Sequence, residues 1–175
     1  MISSLMRSVG LIVALGTATV AAAQDSNNRV AANTDWSVFE GTDPRECWIV
    51  SAPKETVNTR DGNVVAVRRG DILLYVFFRP ASGVAGQVAF TGGYPFAPDS
   101  TVNLEIGGTN FDLYVQDEYA WPADAAADAS IVAAMKAGAN ATLTARSARG
   151  TVTRDTFSLL GFTASLDEAQ RRCAG

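Results

Sequence analysis

Histidine is absent from this 175-residue chain, and lysine is limited to Lys54 and Lys136. The missing imidazole excludes Ser-His-Asp and Cys-His catalysis and most zinc sites, because each depends on histidine. The chain also lacks a P-loop, a GxGxxG turn and the EF-hand spacing. We therefore expect no cofactor and no bound metal.

Positive charge is also scarce. Lysine and arginine together number 14 against 18 acidic residues, which gives a net charge of −4. An acidic balance favours solubility and opposes electrostatic binding to nucleic acid or anionic lipid. We expect no nucleic-acid partner.

The first 23 residues have the composition of a secretory signal peptide. Arg7 precedes an apolar run over residues 9–20, and three alanines then precede polar Gln24. A membrane-spanning helix, the alternative, needs about 20 apolar residues, and this run is shorter. A lipoprotein would carry cysteine at position 24. We therefore expect cleavage near Ala23, a periplasmic or secreted mature chain and no stable membrane anchor.

The chain has two cysteines, Cys47 and Cys173. In an oxidising compartment an even number most simply forms one disulfide. Cys47 shares a strand face with Ile49, and Cys173 shares a helix face with Leu166 and Ala169, so both side chains could point into the core. An intermolecular bridge or two free thiols are the alternatives.

Polar, aperiodic residues 24–34 predict a flexible tail, followed by one domain over residues 35–175. Short apolar or alternating runs predict about eight strands. The clearest hairpin pairs 102–106 with 111–115, and a second pairs 141–145 with 151–157. Nine segments are candidates for these strands: 35–39, 47–51, 64–67, 72–78, 84–90, 102–106, 111–115, 141–145 and 151–157.

Two helices complete the predicted fold. Asp124 or Asp128 can cap an internal helix that ends at Gly138. Ser165 and Glu168 have capping-box spacing and predict a C-terminal helix. The fold class expected is mainly β, an antiparallel β-sandwich or barrel-like single domain with one internal helix and a C-terminal helix.

The C-terminal third resembles a known family. Ile131–Gly138, the strand after it and Phe157–Leu166 are similar to the invasion-associated locus B proteins, small exported proteins of alphaproteobacteria. Asp35–Phe39 and Cys47 fit the family's opening tryptophan and cysteine pattern. The resemblance implies a secreted or periplasmic β-sandwich protein, associated in pathogenic members with host-cell entry, and brings no catalytic residues. The net acidic chain departs from the family's basic tendency, which puts electrostatic attraction to host surfaces in doubt.

Arg69-Gly70-Asp71 is the tripeptide that integrins recognise when a loop displays it. It lies between two predicted strands, where display is feasible. The simpler interpretation is an ordinary glycine turn with flanking charges.

Tyr119 and Trp121, with Tyr94 and Trp48, could stack on a sugar or a peptide, because aromatic rings bury large areas at little entropic cost. Trp121 precedes Pro122 and is the best candidate for an exposed ring. The simpler interpretation places Trp48 in the core and Trp121 over the helix start.

Acidic residues offer a different chemistry. Asp112, Asp117 and Glu118 lie near one hairpin end, and a glycosidase needs two carboxylates about 5–10 Å apart. Calcium could be bound by Asp117 with Asp124 and Asp128, although helix capping explains the last two more simply.

The sequence thus favours a non-enzymatic exported protein that binds an unidentified protein or glycan. A periplasmic enzyme using paired carboxylates and a structural or stress-protective envelope protein are the alternatives.

Overall fold

The computed structural model describes residues 28–174, which form one antiparallel sheet of 12 strands and two α-helices. The predicted signal peptide, residues 1–23, and residues 24–27 of the predicted tail lie outside the described residues. The strands are β1 (Arg29–Asn33), β2 (Trp36–Thr42), β3 (Arg45–Ser51), β4 (Glu55–Arg60), β5 (Asn63–Val64), β6 (Leu73–Arg79), β7 (Val84–Thr91), β8 (Thr101–Ile106), β9 (Thr109–Gln116), β10 (Tyr119–Trp121), β11 (Asn140–Arg146) and β12 (Val152–Ser158). The helices are α1 (Ala125–Ala137) and α2 (Phe162–Cys173).

The strand order is β1-β2-β3-β6-β7-β10-β9-β8-β11-β12-β4-β5. This confirms the predicted mainly β, antiparallel fold with an internal and a C-terminal helix. β1 and β5 are the edge strands, so over residues 28–174 the sheet is not closed into a barrel. Both predicted hairpins are present, as β8–β9 and β11–β12.

The two halves of the sheet face each other across the core. Phe90 of β7 contacts Phe157 of β12 edge to face, with ring centroids 6.1 Å apart. Trp36 of β2 donates its indole N–H to the carbonyl oxygen of Ser158 at 3.0 Å. These strands are not neighbours in the sheet, so the contacts join its opposite halves.

α2 is fixed to the sheet by a disulfide. Cys47 of β3 and Cys173 of α2 are bonded, with their Cα atoms 5.9 Å apart, as the sequence predicts. Leu166 and Ala169 of the same helix are buried in the core. Within residues 28–174, no helix is both long enough and apolar enough to span a membrane.

The structure distinguishes the two candidate caps of α1. Asp124 is the N-cap, and its carboxylate accepts the amides of Ala126 and Ala127. Asp128 lies in the first turn of α1 and is buried. Its carboxylate accepts a hydrogen bond from the backbone N–H of Val88 in β7 at 2.8 Å. Asp128 therefore joins α1 to the sheet.

The predicted capping box of α2 is wrong. The helix begins earlier, at Phe162, with Gly161 as its N-cap. Ser165 is buried inside the helix and accepts a hydrogen bond from the Asn33 amide at 3.0 Å. The Glu168 side chain instead pairs with Arg172, one turn further along.

The predicted flexible tail is wrong for residues 29–33, which form β1 and pair with β2. Most β1 side chains are exposed, so backbone pairing rather than apolar burial holds this strand. Gly161 also has φ +86, and a Cβ there would collide with the Asn33 carbonyl. Neither the pairing of β1 with β2 nor the approach of Gly161 to Asn33 can be predicted from the spacing of apolar residues.

The region between β3 and β6 also differs from the prediction. Residues 55–60, a polar stretch in the sequence, form β4, which pairs with β12. Of the strand predicted over 64–67, only Val64 belongs to a strand, the two-residue β5. Val64 is exposed and has no core to pack against.

Loss of the disulfide should weaken the fold strongly. The bond spans a sequence separation of 126, and the chain-entropy treatment assigns a loop of that size about 4–5 kcal/mol. We expect Cys47→Ser/Cys173→Ser to lower the free energy of unfolding in urea by up to this amount. Reductant should destabilise the wild type and leave the double variant unchanged; equal sensitivity of both proteins would contradict the assignment.

The carboxylate of Asp128 gives a second test. Burial raises the pKa of Asp128, against the opposing effect of the Val88 amide. The folded state therefore holds this proton more tightly than the unfolded state, and stability falls as pH rises through the range where Asp128 ionises.

We expect Asp128→Asn to keep an acceptor for Val88 and to lose this pH dependence. Asp128→Ala should cost about 1–3 kcal/mol, because it leaves a buried amide unpaired. Urea unfolding across the acidic range measures both effects. Identical pH profiles for wild type and Asp128→Asn would contradict the assignment.

Candidate functional site

Seven aromatic side chains lie on the outer face of one half of the sheet. Strand register places them together: Phe39 pairs with Trp48, Trp48 with Phe77, and Trp121 with Tyr114. The set, called here the aromatic face, is Phe39, Trp48, Tyr75, Phe77, Tyr114, Tyr119 and Trp121.

Strand alternation explains why these rings point outward. In β3, Cys47 and Ile49 are buried, so Trp48 between them lies on the opposite side of the pleat. The solvent side of an antiparallel sheet is ordinarily polar. Both helices bury their apolar residues in the core, on the other side of the sheet. The rings are therefore on the side of the sheet away from the core.

The rings form near-parallel pairs. The centroids of Phe39 and Trp48 are 5.3 Å apart at an interplanar angle of 6°, and those of Tyr119 and Trp121 are 5.9 Å apart at 28°. Phe77 lies between the pairs, 6.5 Å from Trp121. From β2 to β9 the face crosses five strand spacings, or about 24 Å.

A depression of about 730 Å³ lies at the β9–β10 end of the face, where Tyr114 is 58% exposed. Gln87 and Gln116 line this depression together with Tyr114 and Trp121, and the side-chain oxygen of Gln87 accepts a hydrogen bond from Arg79 at 3.0 Å. Burial raises the pKa of Tyr75 to about 12, so its hydroxyl stays protonated and able to donate. The site thus combines flat apolar surfaces with uncharged hydrogen-bonding groups.

The structure brings Tyr119 and Trp121 together, but the expectation that Trp48 belongs to the core is wrong. Trp36 is the tryptophan that fills the core. Tyr94, grouped with these residues in the sequence, lies elsewhere and bonds Thr153.

Sequence reasoning missed four members of the face, Phe39, Tyr75, Phe77 and Tyr114. Both faces of the run over 72–78 are apolar, a pattern typical of a strand buried on both sides. In the structure only one side of that strand reaches the core. The signal that could have found the site was the concentration of aromatic rings on that second side.

The Arg69-Gly70-Asp71 tripeptide is not displayed as integrin binding requires. The Arg69 side chain is only 6% exposed and forms two hydrogen bonds with the carboxylate of Asp155, at 2.8 and 2.6 Å. Its Nε donates to the Gly92 carbonyl at 2.8 Å. Asp71 is exposed, and Gly70 pairs with the backbone of Gly93. The Arg69 side chain therefore points into the protein and is not presented to a partner.

The three candidate catalytic acids all lie on the surface. Asp112 is on the exposed side of β9, and Asp117 and Glu118 form the turn before β10. A glycosidase instead places its acid in a site that restricts water. Residues 28–174 contain no group of three His, Cys, Asp or Glu residues placed to hold a metal.

Comparison with known proteins gives one match. The family model described as "Invasion associated locus B (IalB) protein" matches residues 36–170. No curated protein and no solved structure matches the chain.

Arg69 should contribute to stability through its buried ion pair, whereas Asp71, the exposed residue of the same tripeptide, should not. Arg69→Ala leaves the Asp155 carboxylate, 0% exposed, without its counter-ion, and breaking a buried pair costs about 3–5 kcal/mol. We expect that loss in urea unfolding. Asp71→Ala, the matched control, should change stability by at most about 0.5 kcal/mol. Equal effects would contradict the assignment.

Proposed function

This chain belongs to the invasion associated locus B family, and we propose that it is a non-enzymatic binding module that recognises a glycan outside the cytoplasm. The observation that carries the proposal is the aromatic face. Seven rings stand on the side of the sheet where solvation favours polar residues.

The exposed rings support binding. Soluble proteins rarely leave large contiguous apolar patches in water, and such patches mark interaction sites. Tyrosine and tryptophan are also enriched among residues that dominate binding energy. Tyr114 and Tyr119 are more than a third exposed, and Trp121 lies between them on the same face. A binding role explains this exposure, which packing within the chain does not.

The chemistry of the face favours a sugar chain. One side of a pyranose ring presents C–H groups that stack on aromatic rings, while its hydroxyls bond amides and phenols at the rim. Gln87 and Gln116, which carry side-chain amides, line the same depression as Trp121. The guanidinium of Arg79 lies over Phe77, but it is paired with Glu46 at 3.0 Å. The negative charge of Glu46 offsets the positive charge of Arg79, so the aromatic face favours a neutral glycan.

A location outside the cytoplasm is supported by two features. The first 23 residues have the pattern of a signal peptide. The bonded Cys47 and Cys173 are both buried, and disulfides persist in oxidising compartments. The absence of histidine from the sequence and the surface position of Asp112, Asp117 and Glu118 favour binding over catalysis.

A glycan array probed with the disulfide-bonded protein tests the proposal, with isothermal titration of the glycans retained. We expect Trp121→Ala to weaken binding about tenfold, since one ring contact is worth about 0.5–1.5 kcal/mol beyond its buried area. Tyr114→Ala should weaken it several-fold. Because Tyr114 is exposed, its removal tests the site without disturbing the core.

Leu160→Ala is the matched control. Leu160 is 62% exposed and is not part of the aromatic face, so its removal should leave glycan affinity unchanged. Retention of no glycan by the wild type would overturn the proposal, as would full affinity in both ring variants. Mass spectrometry of the bound glycan should find it intact; cleavage would support the paired-carboxylate enzyme instead.

A further inference from the structure

A second cavity, of about 440 Å³, lies away from the aromatic face, between the segment before β6 and the β11–β12 turn. We call it the basic pocket. Four arginines line it, together with Tyr94 and Glu118: Arg60, Arg68, Arg69 and Arg149. Such a concentration of cations is unexpected in a chain with a net charge of −4.

Three of these arginines have no carboxylate partner among the described residues. Seven other lysines and arginines within residues 28–174, Arg69 included, form ion pairs. Arg60 donates to the Thr151 hydroxyl at 2.7 Å, which positions its guanidinium without neutralising it. Within the described part of the chain, the side chains of Arg68 and Arg149 form no hydrogen bond and no ion pair. Three arginines without an ion pair therefore share the pocket with one carboxylate, that of Glu118, and positive charge is in excess.

The walls of the pocket are fixed by buried polar contacts. Arg69, next to Arg68 in the chain, is held by Asp155. The Tyr94 hydroxyl forms a hydrogen bond with the Thr153 hydroxyl at 2.5 Å. The guanidinium carbon of Arg69 lies over the Tyr94 ring, 5.0 Å from the ring centroid. The turn that carries Arg149 is closed by hydrogen bonds between Ser147 and Thr151. The backbone on both sides of the cavity is thus anchored before any ligand binds.

We propose that the basic pocket binds the phosphate group of a small phosphorylated molecule. Guanidinium groups match phosphate oxygens in bidentate geometry, and the cavity volume falls in the range of small-molecule sites. One arginine can satisfy a carboxylate, whereas three guanidiniums without an ion pair, in excess over the single Glu118 carboxylate, suit a group with three terminal oxygens and nearly two charges. This site is separate from the aromatic face.

Isothermal titration with inorganic phosphate and with glucose 6-phosphate, at constant low ionic strength, tests the proposal. We expect saturable binding of both probes to the disulfide-bonded protein. Arg68→Gln/Arg149→Gln should weaken binding at least tenfold and leave the melting temperature unchanged, because both side chains are exposed. Trp121→Ala should bind phosphate as the wild type does, which separates this site from the proposed glycan site.

Arg154→Gln is the matched control, because Arg154 is exposed, has no ion pair among the described residues and lies outside the pocket. It should retain wild-type affinity for phosphate. Absence of saturable binding, or equal weakening by Arg154→Gln, would overturn the proposal. Acetate binding as tightly as phosphate would overturn it as well, since it would identify a carboxylate site.

Discussion

A buried ion pair between Arg69 and Asp155 connects the irregular segment before β6 to β12. Both side chains are removed from water, which carries a large desolvation cost unless every polar atom is bonded. The two parallel bonds to the carboxylate, with further bonds to Gly92 and Asn58, meet that condition. The pair sets the path of the chain into β6, which carries Tyr75 and Phe77. Arg69 also lines the basic pocket, so both candidate sites depend on the pair.

The sheet has two apolar faces with different roles. The inner face packs against the opposite half of the sheet and both helices, and its residues are almost fully buried. The outer face carries rings that are stacked in pairs and remain partly exposed. Ala89 lies on this outer side, paired with Tyr75, and is buried. The rings therefore cover part of the sheet as well as presenting a surface, which gives them a structural role alongside the proposed binding role.

The sequence predicted correctly those elements that depend on the pattern of neighbouring residues. The β8–β9 and β11–β12 hairpins follow from alternation around a turn, and the disulfide follows from two cysteines on inward faces. The failures come from long-range contacts. Asp155 lies 86 residues from Arg69, so an arginine before Gly-Asp gives no sign that it points inward. Similarly, Arg60, Arg68 and Arg149 meet only after folding, and sequence inspection singled out none of them as a site.

The link between β3 and α2 has a consequence for the order of assembly. Cys47 lies in the third of the described strands, and its partner lies in the last described element. The sequence contains no third cysteine, so a wrong internal pairing is not available to Cys47. Cross-linking must therefore wait until the chain through Cys173 has been made. The covalent bond therefore joins β3 to α2 only after every strand between them has been made.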